Sequence, residues 1–187
     1  MVIKSKVFTN TSGENFENEN FISCRFTGNL HFCTFTSCKF SFCDFSQALL
    51  TSTGFIKSRF NECKLDNLNF SEAHLEMGDF SGSSLKNTVF QKFKAGSSYE
   101  TKKINLTTCR FENCVLERSA FVKADLKGNN FSKAILTGAS FVRCNLENTD
   151  FSDCELKGVA FEDCLIKNTK ISITGCMQLC LDKGFVI

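Results

Sequence analysis

Every fifth residue of the chain is Phe, Leu or Ile from Leu30 through Phe90, and again from Leu106 through Ile171, giving 27 consecutive positions in two phased blocks. A period of five matches neither the roughly 3.6 residues of an amphipathic helix nor the roughly 2 of a half-buried strand, so the chain reads first as an internal repeat. Of its 22 Phe, 17 stand at unit centres once Phe16, Phe21 and Phe26 are counted in an earlier block that slips by one residue before Leu30. Trp and Pro are absent and Tyr occurs once. An ordinary mixed core does not show that skew, whereas a single repeat position selecting Phe does.

A second column, two residues before each centre, takes small side chains. It holds Cys33, Cys38, Cys43, Ala48, Thr53, Ser58 and Cys63 in the first block, then Cys109, Cys114, Ser119, Ala124, Ala134, Ala139 and Cys144 in the second. The other three positions are polar or charged, as in CRFEN, CVLER, SAFVK and ADLKG, so two residues in five face inward and three face water. A chain that turns after each unit closes a square after four, in about 20 residues, and stacks coil upon coil at about 4.8 Å. About 30 units make between about seven and eight coils and a rod about 35 Å long. Phe111, Phe131 and Phe151 then stack on one face and Phe121, Phe141 and Phe161 on the opposite one. Leu106, Leu126 and Leu146 fill a third face, with Leu116, Leu136 and Leu156 opposite them, a combination that packs a narrow shaft without voids.

The units ADLKG, CNLEN and TDFSD resemble pentapeptide repeats of the A(D/N)LxF type over about Phe16 to Ile171. That resemblance implies an all-β, right-handed quadrilateral β-helix, with one projecting loop and a short C-terminal helix. The expected organisation is a β-helix over residues 1–171, with residues 91–105 projecting, and a terminal helix with an apolar tail over 172–187. Phe8 falls outside the phase and is left stranded ahead of the first regular coil.

Two departures from the repeat carry the functional reading. Between Phe90 and Leu106 the spacing is 16 instead of 5, and QKFKAGSSYETKKIN places Ala95 and Glu100 where centres belong. Gly96, Ser97 and Ser98 supply turn chemistry for an inserted loop, while Phe93 and Tyr99 lose their place in the shaft. Lys92, Lys94, Lys102 and Lys103 oppose Glu100 alone, so the segment is +3 in a chain of net +2. Function concentrates on loops held by stiff frameworks, which makes Phe93, Lys94, Tyr99, Lys102 and Lys103 a candidate partner-binding set; a tolerated insertion on a rigid scaffold is the alternative. After Ile171 the period stops, and ISITGCMQLCLDKGFVI reads as a helix from an N-cap near Thr174 to Lys183 with Gly184 as its stop. Met177, Cys180 and Leu181 share a helix face, and Phe185, Val186 and Ile187 end the chain. A solenoid needs a cap over its open core, and the exposed tail further suggests a symmetric homodimer joined through Met177, Leu181, Phe185, Val186 and Ile187.

A loop in mid-rod followed by a C-terminal helix and apolar tail resembles the Qnr family of quinolone-resistance proteins. The resemblance implies a dimer like a B-form DNA duplex in size and surface charge, which binds the type II topoisomerases DNA gyrase and topoisomerase IV and relieves quinolone inhibition. Residues 93–103 take the place of the family's longer loop without matching it residue by residue, and the shorter N-terminal loop of some members has no counterpart. Net charge opposes DNA mimicry, but Glu147, Asp150, Asp153, Glu155, Glu162 and Asp163, with Lys157 against them, give a local −5 that abuts the expected dimer seam. Direct nucleic-acid binding fits less well, because no basic run or stacking surface appears outside the loop. Self-immunity against a gyrase-poisoning peptide, or a scaffold for an unrelated protein, are the other readings.

Ten of the twelve cysteines occupy the small inward column, where Cys acts as a small hydrophobe. No CxxC pair occurs and His31 and His74 are the only histidines, so neither a metal nor another cofactor is expected. Many unpaired thiols, an N-terminus MVIKSKVFTN without an apolar core, and no membrane-length apolar stretch point to a cytoplasmic protein. A convex packed rod with no Ser, His and Asp grouping and no phosphate loop argues against an enzyme.

Overall fold

The computed structural model describes residues 1–94, 96–97 and 99–186. Ala95, Ser98 and Ile187, named above, lie outside the described residues. The chain winds as stacked coils of short parallel strands, the quadrilateral β-helix that the resemblance implies. Val2–Lys4, Asn20–Ile22, Lys39–Ser41 and Arg59–Asn61 form one parallel sheet; Asn15–Glu17, Thr34–Thr36, Gly54–Ile56 and His74–Glu76 form another. Val89–Phe90, Ala120–Val122, Ser140–Val142 and Ala160–Glu162 continue the stack beyond the insertion. Eight coils begin on the first face at Ile3, Phe21, Phe40, Phe60, Phe80, Phe111, Phe131 and Phe151, and Ile171 opens a further turn.

The centres form the core. Rings on one face stack at 4.2 Å (Phe26 on Phe45) to 5.5 Å (Phe80 on Phe111), and rings on different faces meet edge-on, as Phe121 meets Phe131 at 5.8 Å and 87°. These are the offset-stacked and T-shaped geometries that the aromatic quadrupole favours. The Phe and Leu ladders expected beyond Leu106 are in place, with Phe121 on Phe141 at 4.9 Å and Phe141 on Phe161 at 5.3 Å.

The first coil corrects the sequence reading. Phe8 is buried and stacks on Phe26 at 4.7 Å and 5°. It looked stranded because register advances by coil and not by fives: Ile3 pairs with Phe21 and Phe8 with Phe26, 18 residues on, and Phe21 pairs with Phe40, 19 on.

The small column is more than a filler. Thr53, Ser58, Ser83 and Thr149 donate their hydroxyls to the carbonyls of Leu30, Phe35, Phe60 and Leu126 at 2.6, 3.0, 3.0 and 2.9 Å, each one coil back. Cys144 and Cys154 thiols do the same toward Phe121 and Phe131. Thiol and hydroxyl exchange there because both are small and both carry a donor that the buried site satisfies. At most corners the residue two after the centre adopts the left-handed region, even where it is Lys57, Glu62, Phe32 or Phe42. Coil-to-coil backbone bonds from the Phe32, Phe42 and Lys57 amides hold these residues in a conformation that bulky side chains otherwise avoid.

The last element is the helix Ile173–Asp182. Its N-cap is Ser172, and not the Thr174 expected from sequence, because the Ser172 Oγ accepts the Gly175 amide at 3.2 Å while Thr174 already lies inside the first turn. Gly184, at φ +85°, stops it as expected: its amide bonds to the Leu181 carbonyl and that of Phe185 to the Cys180 carbonyl, a Schellman ending. Gly175 is buried against the open core, where a Cβ would lie 3.0 Å from Leu156 and 3.1 Å from Ile171. Among the described residues no helix is long and apolar enough to cross a membrane.

Candidate functional site

The insertion folds into a two-stranded antiparallel hairpin, Lys92–Phe93 against Thr101–Lys102. The Lys94 amide donates to the Glu100 carbonyl at 2.7 Å, and the two side chains form an ion pair at 2.6 Å. Ser97 Oγ accepts the Glu100 amide at 2.9 Å and tightens the turn. The root is bound to the rod at two points: Lys123 Nζ donates to the Thr101 carbonyl at 2.9 Å, and Lys92 Nζ to the Ala73 carbonyl. The chain rejoins the coil at Ile104–Asn105, which pairs with Ala124–Asp125, so the excursion is shorter than residues 91–105.

The hairpin gives its residues different surroundings. Tyr99 is 81% exposed near the tip, and Phe93 is half-buried in the strand. Lys94 is engaged by Glu100, and Lys103 by Asp125 at 2.9 Å. Asp125 is held below its usual range: burial raises it, but Lys103 and the bonds from Lys127 and Asn145 outweigh that. Lys102 is exposed. Beneath the hairpin a cleft of about 490 Å³ is lined by His74, Leu75, Glu76, Lys92, Lys102, Lys103, Ile104, Asn105 and Thr108. Burial first, and then the charge of Lys102, hold Lys92 below the usual lysine pKa. The cleft was not legible in the sequence beyond its lysines, because His74 and Glu76 come from the coil below.

At the other end the helix covers part of the last coil. Gln178 Oε1 accepts the Leu156 amide at 2.7 Å and Asp182 Oδ2 the Gly158 amide at 2.5 Å. The remaining apolar groups stay open: Leu165, Ile166, Ile171, Ile173, Met177, Leu181 and Phe185 are exposed and Val186 is 99% exposed.

The acidic residues do not form one patch. The segment from Glu147 to Asp163 wraps most of a coil, so Asp150 and Asp153 flank Phe151 while Glu162 and Asp163 flank Phe161 on the opposite face. Several are also paired. Glu147 lies 2.9 Å from Lys127 and 3.8 Å from Lys167, Asp150 3.5 Å from Lys170, and Asp163 3.6 Å from Arg143; Glu155 accepts the Thr137 hydroxyl at 2.7 Å. The bond from Lys127 holds Glu147 below its usual range, and that from Ser152 does so for Asp150. The feature is an acidic belt threaded with cations.

The twelve cysteines are free, and burial pushes Cys109 and Cys154 to about 11 and Cys114 to about 12, which keeps them protonated. Among the described residues no three metal-ligating side chains converge.

A family model described as pentapeptide repeat region matches residues 115–176, and one described as pentapeptide repeats (8 copies) matches residues 29–67. Two trypsin-treated variants of QnrB1, a plasmid-mediated fluoroquinolone resistance protein, superpose with TM-scores of 0.64 and 0.63 at 19% and 17% identity. These matches cover 100% of this chain and 98% and 97% of theirs. HetL, a pentapeptide repeat protein involved in heterocyst differentiation regulation from the cyanobacterium Nostoc sp. Strain PCC 7120, gives a TM-score of 0.34 at 16% identity over 91% of this chain and 89% of its own. No curated protein sequence shows significant similarity to the chain. At such identities the likeness to QnrB1 is one of fold.

Proposed function

Because the chain belongs to the pentapeptide-repeat family, we propose that it acts as a Qnr-like rod that binds type II topoisomerases, DNA gyrase or topoisomerase IV, and protects them from quinolones. The observation that carries the reading is the fold likeness to a fluoroquinolone resistance protein along the whole of both chains. The hairpin and the apolar terminus add to it. In this reading two copies join through Met177, Leu181, Phe185 and Val186 to double the rod, and the hairpin residues Phe93, Lys94, Tyr99, Lys102 and Lys103 touch the enzyme. The protein works in the cytoplasm by occupying a surface and not by chemistry, as a rod with packed interior and convex exterior suits.

The test is supercoiling by purified gyrase with and without a fluoroquinolone, titrated with this protein and with a variant lacking residues 93–102. Rescue of drug-inhibited supercoiling by the full chain, lost in the variant, is the expected result. A folded protein that changes neither arm sinks the proposal. A scaffold for an unrelated protein partner is the second reading, favoured by the balanced surface: the chain is net +2 and its acidic belt is laced with lysines.

A further inference from the structure

The hairpin contains a pairing that antiparallel strands ordinarily avoid. Lys92 and Lys102 are register partners, so two ammonium groups leave the ribbon directly opposite one another. Like charges in that relation destabilise the pair. Both side chains line the cleft against the face of the rod that carries Leu75. Lys94 and Lys103 each have a carboxylate, but among the described residues neither Lys92 nor Lys102 has one within 4.0 Å. Lys92 is also fixed in place, its ammonium bonded to the Ala73 carbonyl. A local rule broken at a defined cleft, where among the described residues Glu72 offsets part of the Lys92 charge but no carboxylate contacts either ammonium, points to a partner from outside.

Charge and size say what that partner is. Of the charged lining residues Lys103 is paired with Asp125, which leaves Lys92 and Lys102 against Glu76 alone. A carboxylate would leave one ammonium unmatched, whereas a phosphate dianion matches both. A cleft of about 490 Å³ exceeds the needs of one phosphate and lies in the range of small-molecule sites. Asn105 and Thr108 add neutral donors to the same wall.

We propose that this cleft binds the phosphates of a small polyphosphorylated molecule, clamped between the Lys92 and Lys102 ammonium groups. Binding replaces repulsion across the ribbon by attraction to a shared anion, and so stiffens the hairpin on its root. The inference does not depend on any topoisomerase.

An amide NMR titration with inorganic pyrophosphate, and separately with a duplex oligonucleotide, tests it. Saturable shifts confined to residues 74–76, 92–93 and 101–108 are expected with pyrophosphate, weakened at least tenfold in Lys102→Gln. Lys102→Glu should abolish binding and raise the melting temperature, since Lys92 then faces an opposite charge. Because Lys102 is exposed, neither variant threatens the fold. Shifts scattered over lysines elsewhere on the rod, unweakened binding in Lys102→Gln, or shifts with the duplex alone would each overturn the proposal.

Discussion

The second and third coils and the sixth to eighth fill the same square with different side chains. Early in the rod, three faces carry Phe, as in Phe21, Phe26 and Phe35 or Phe40, Phe45 and Phe55, with Leu30 and Leu50 on the remaining one. Later, Phe111 and Phe121 face each other across the shaft, as do Phe131 and Phe141, and Leu116, Leu126, Leu136 and Leu146 stand between. The exchange happens within the fourth coil: Phe45 gives way to Leu65 and Phe55 to Leu75, while Leu50 gives way to Phe70. Phe21 through Phe151 on the first face continue without a break. Early rings meet edge-on around the corners, Phe21 to Phe26 at 5.5 Å; late rings meet only across the shaft, Phe121 to Phe131 at 5.8 Å. The uninterrupted half is thus the aromatic network, and the half with slimmer packing carries the hairpin and the helix.

The sharpest way to break this contrast is to remove one side chain from each half. Phe40 touches rings above, below and beside it, at 4.9 Å to Phe21 and Phe60 and 5.4 Å to Phe35. Phe40→Ala should cost about 5 kcal/mol and Leu136→Ala about 3 kcal/mol in chemical denaturation. Equal losses would mean that the aromatic network adds nothing beyond buried volume. At the late end, Ser172→Ala should cost about 1 kcal/mol by unseating the helix N-terminus, read as faster hydrogen exchange at the Leu156 amide with no change in coils two and three.

Smaller effects sharpen the electrostatic side. Asp125, Glu147 and Asp150 in the late coils are held below their usual pKa, against Asp44 alone in the early ones. A carboxylate depressed in the folded state stabilises it above the unfolded pKa and loses that contribution as pH falls through the folded value. Hydrogen exchange below about pH 4 should therefore loosen coils six to eight before coils two and three. Uniform loosening would remove the asymmetry. The smallest effect is a gain. Phe42 turns a corner at φ +57° while 56% exposed, and Phe42→Asn, better suited to that region, should add about 0.5 kcal/mol.

How much of this the sequence disclosed depends on whether a feature repeats. Phe and Leu centres, the small column and the inserted loop are visible because period and interruption are properties of spacing. Phe8 was missed because the first coil closes in 18 residues, and nothing local announces a shortened turn. Ser172 and Thr174 are both hydroxyl residues, and only the helix geometry shows which one reaches the Gly175 amide. The acidic run is spread around the coil because neighbours in sequence separate at a corner. Lys92 and Lys102 were recognised as charges, but their opposition exists only once the hairpin's register is fixed.

Most hydroxyl and thiol donors of the inner column point one way. Thr53, Ser58, Ser83, Cys144 and Thr149 each reach a carbonyl 23 residues earlier in the chain. For a polypeptide leaving the ribosome N-terminus first, every such acceptor has been synthesised before its donor emerges. The rod therefore has a direction of growth. Each completed coil is the template on which the next is wound, and the helix Ile173–Asp182, translated after the coils it packs on, closes a stack that is already built.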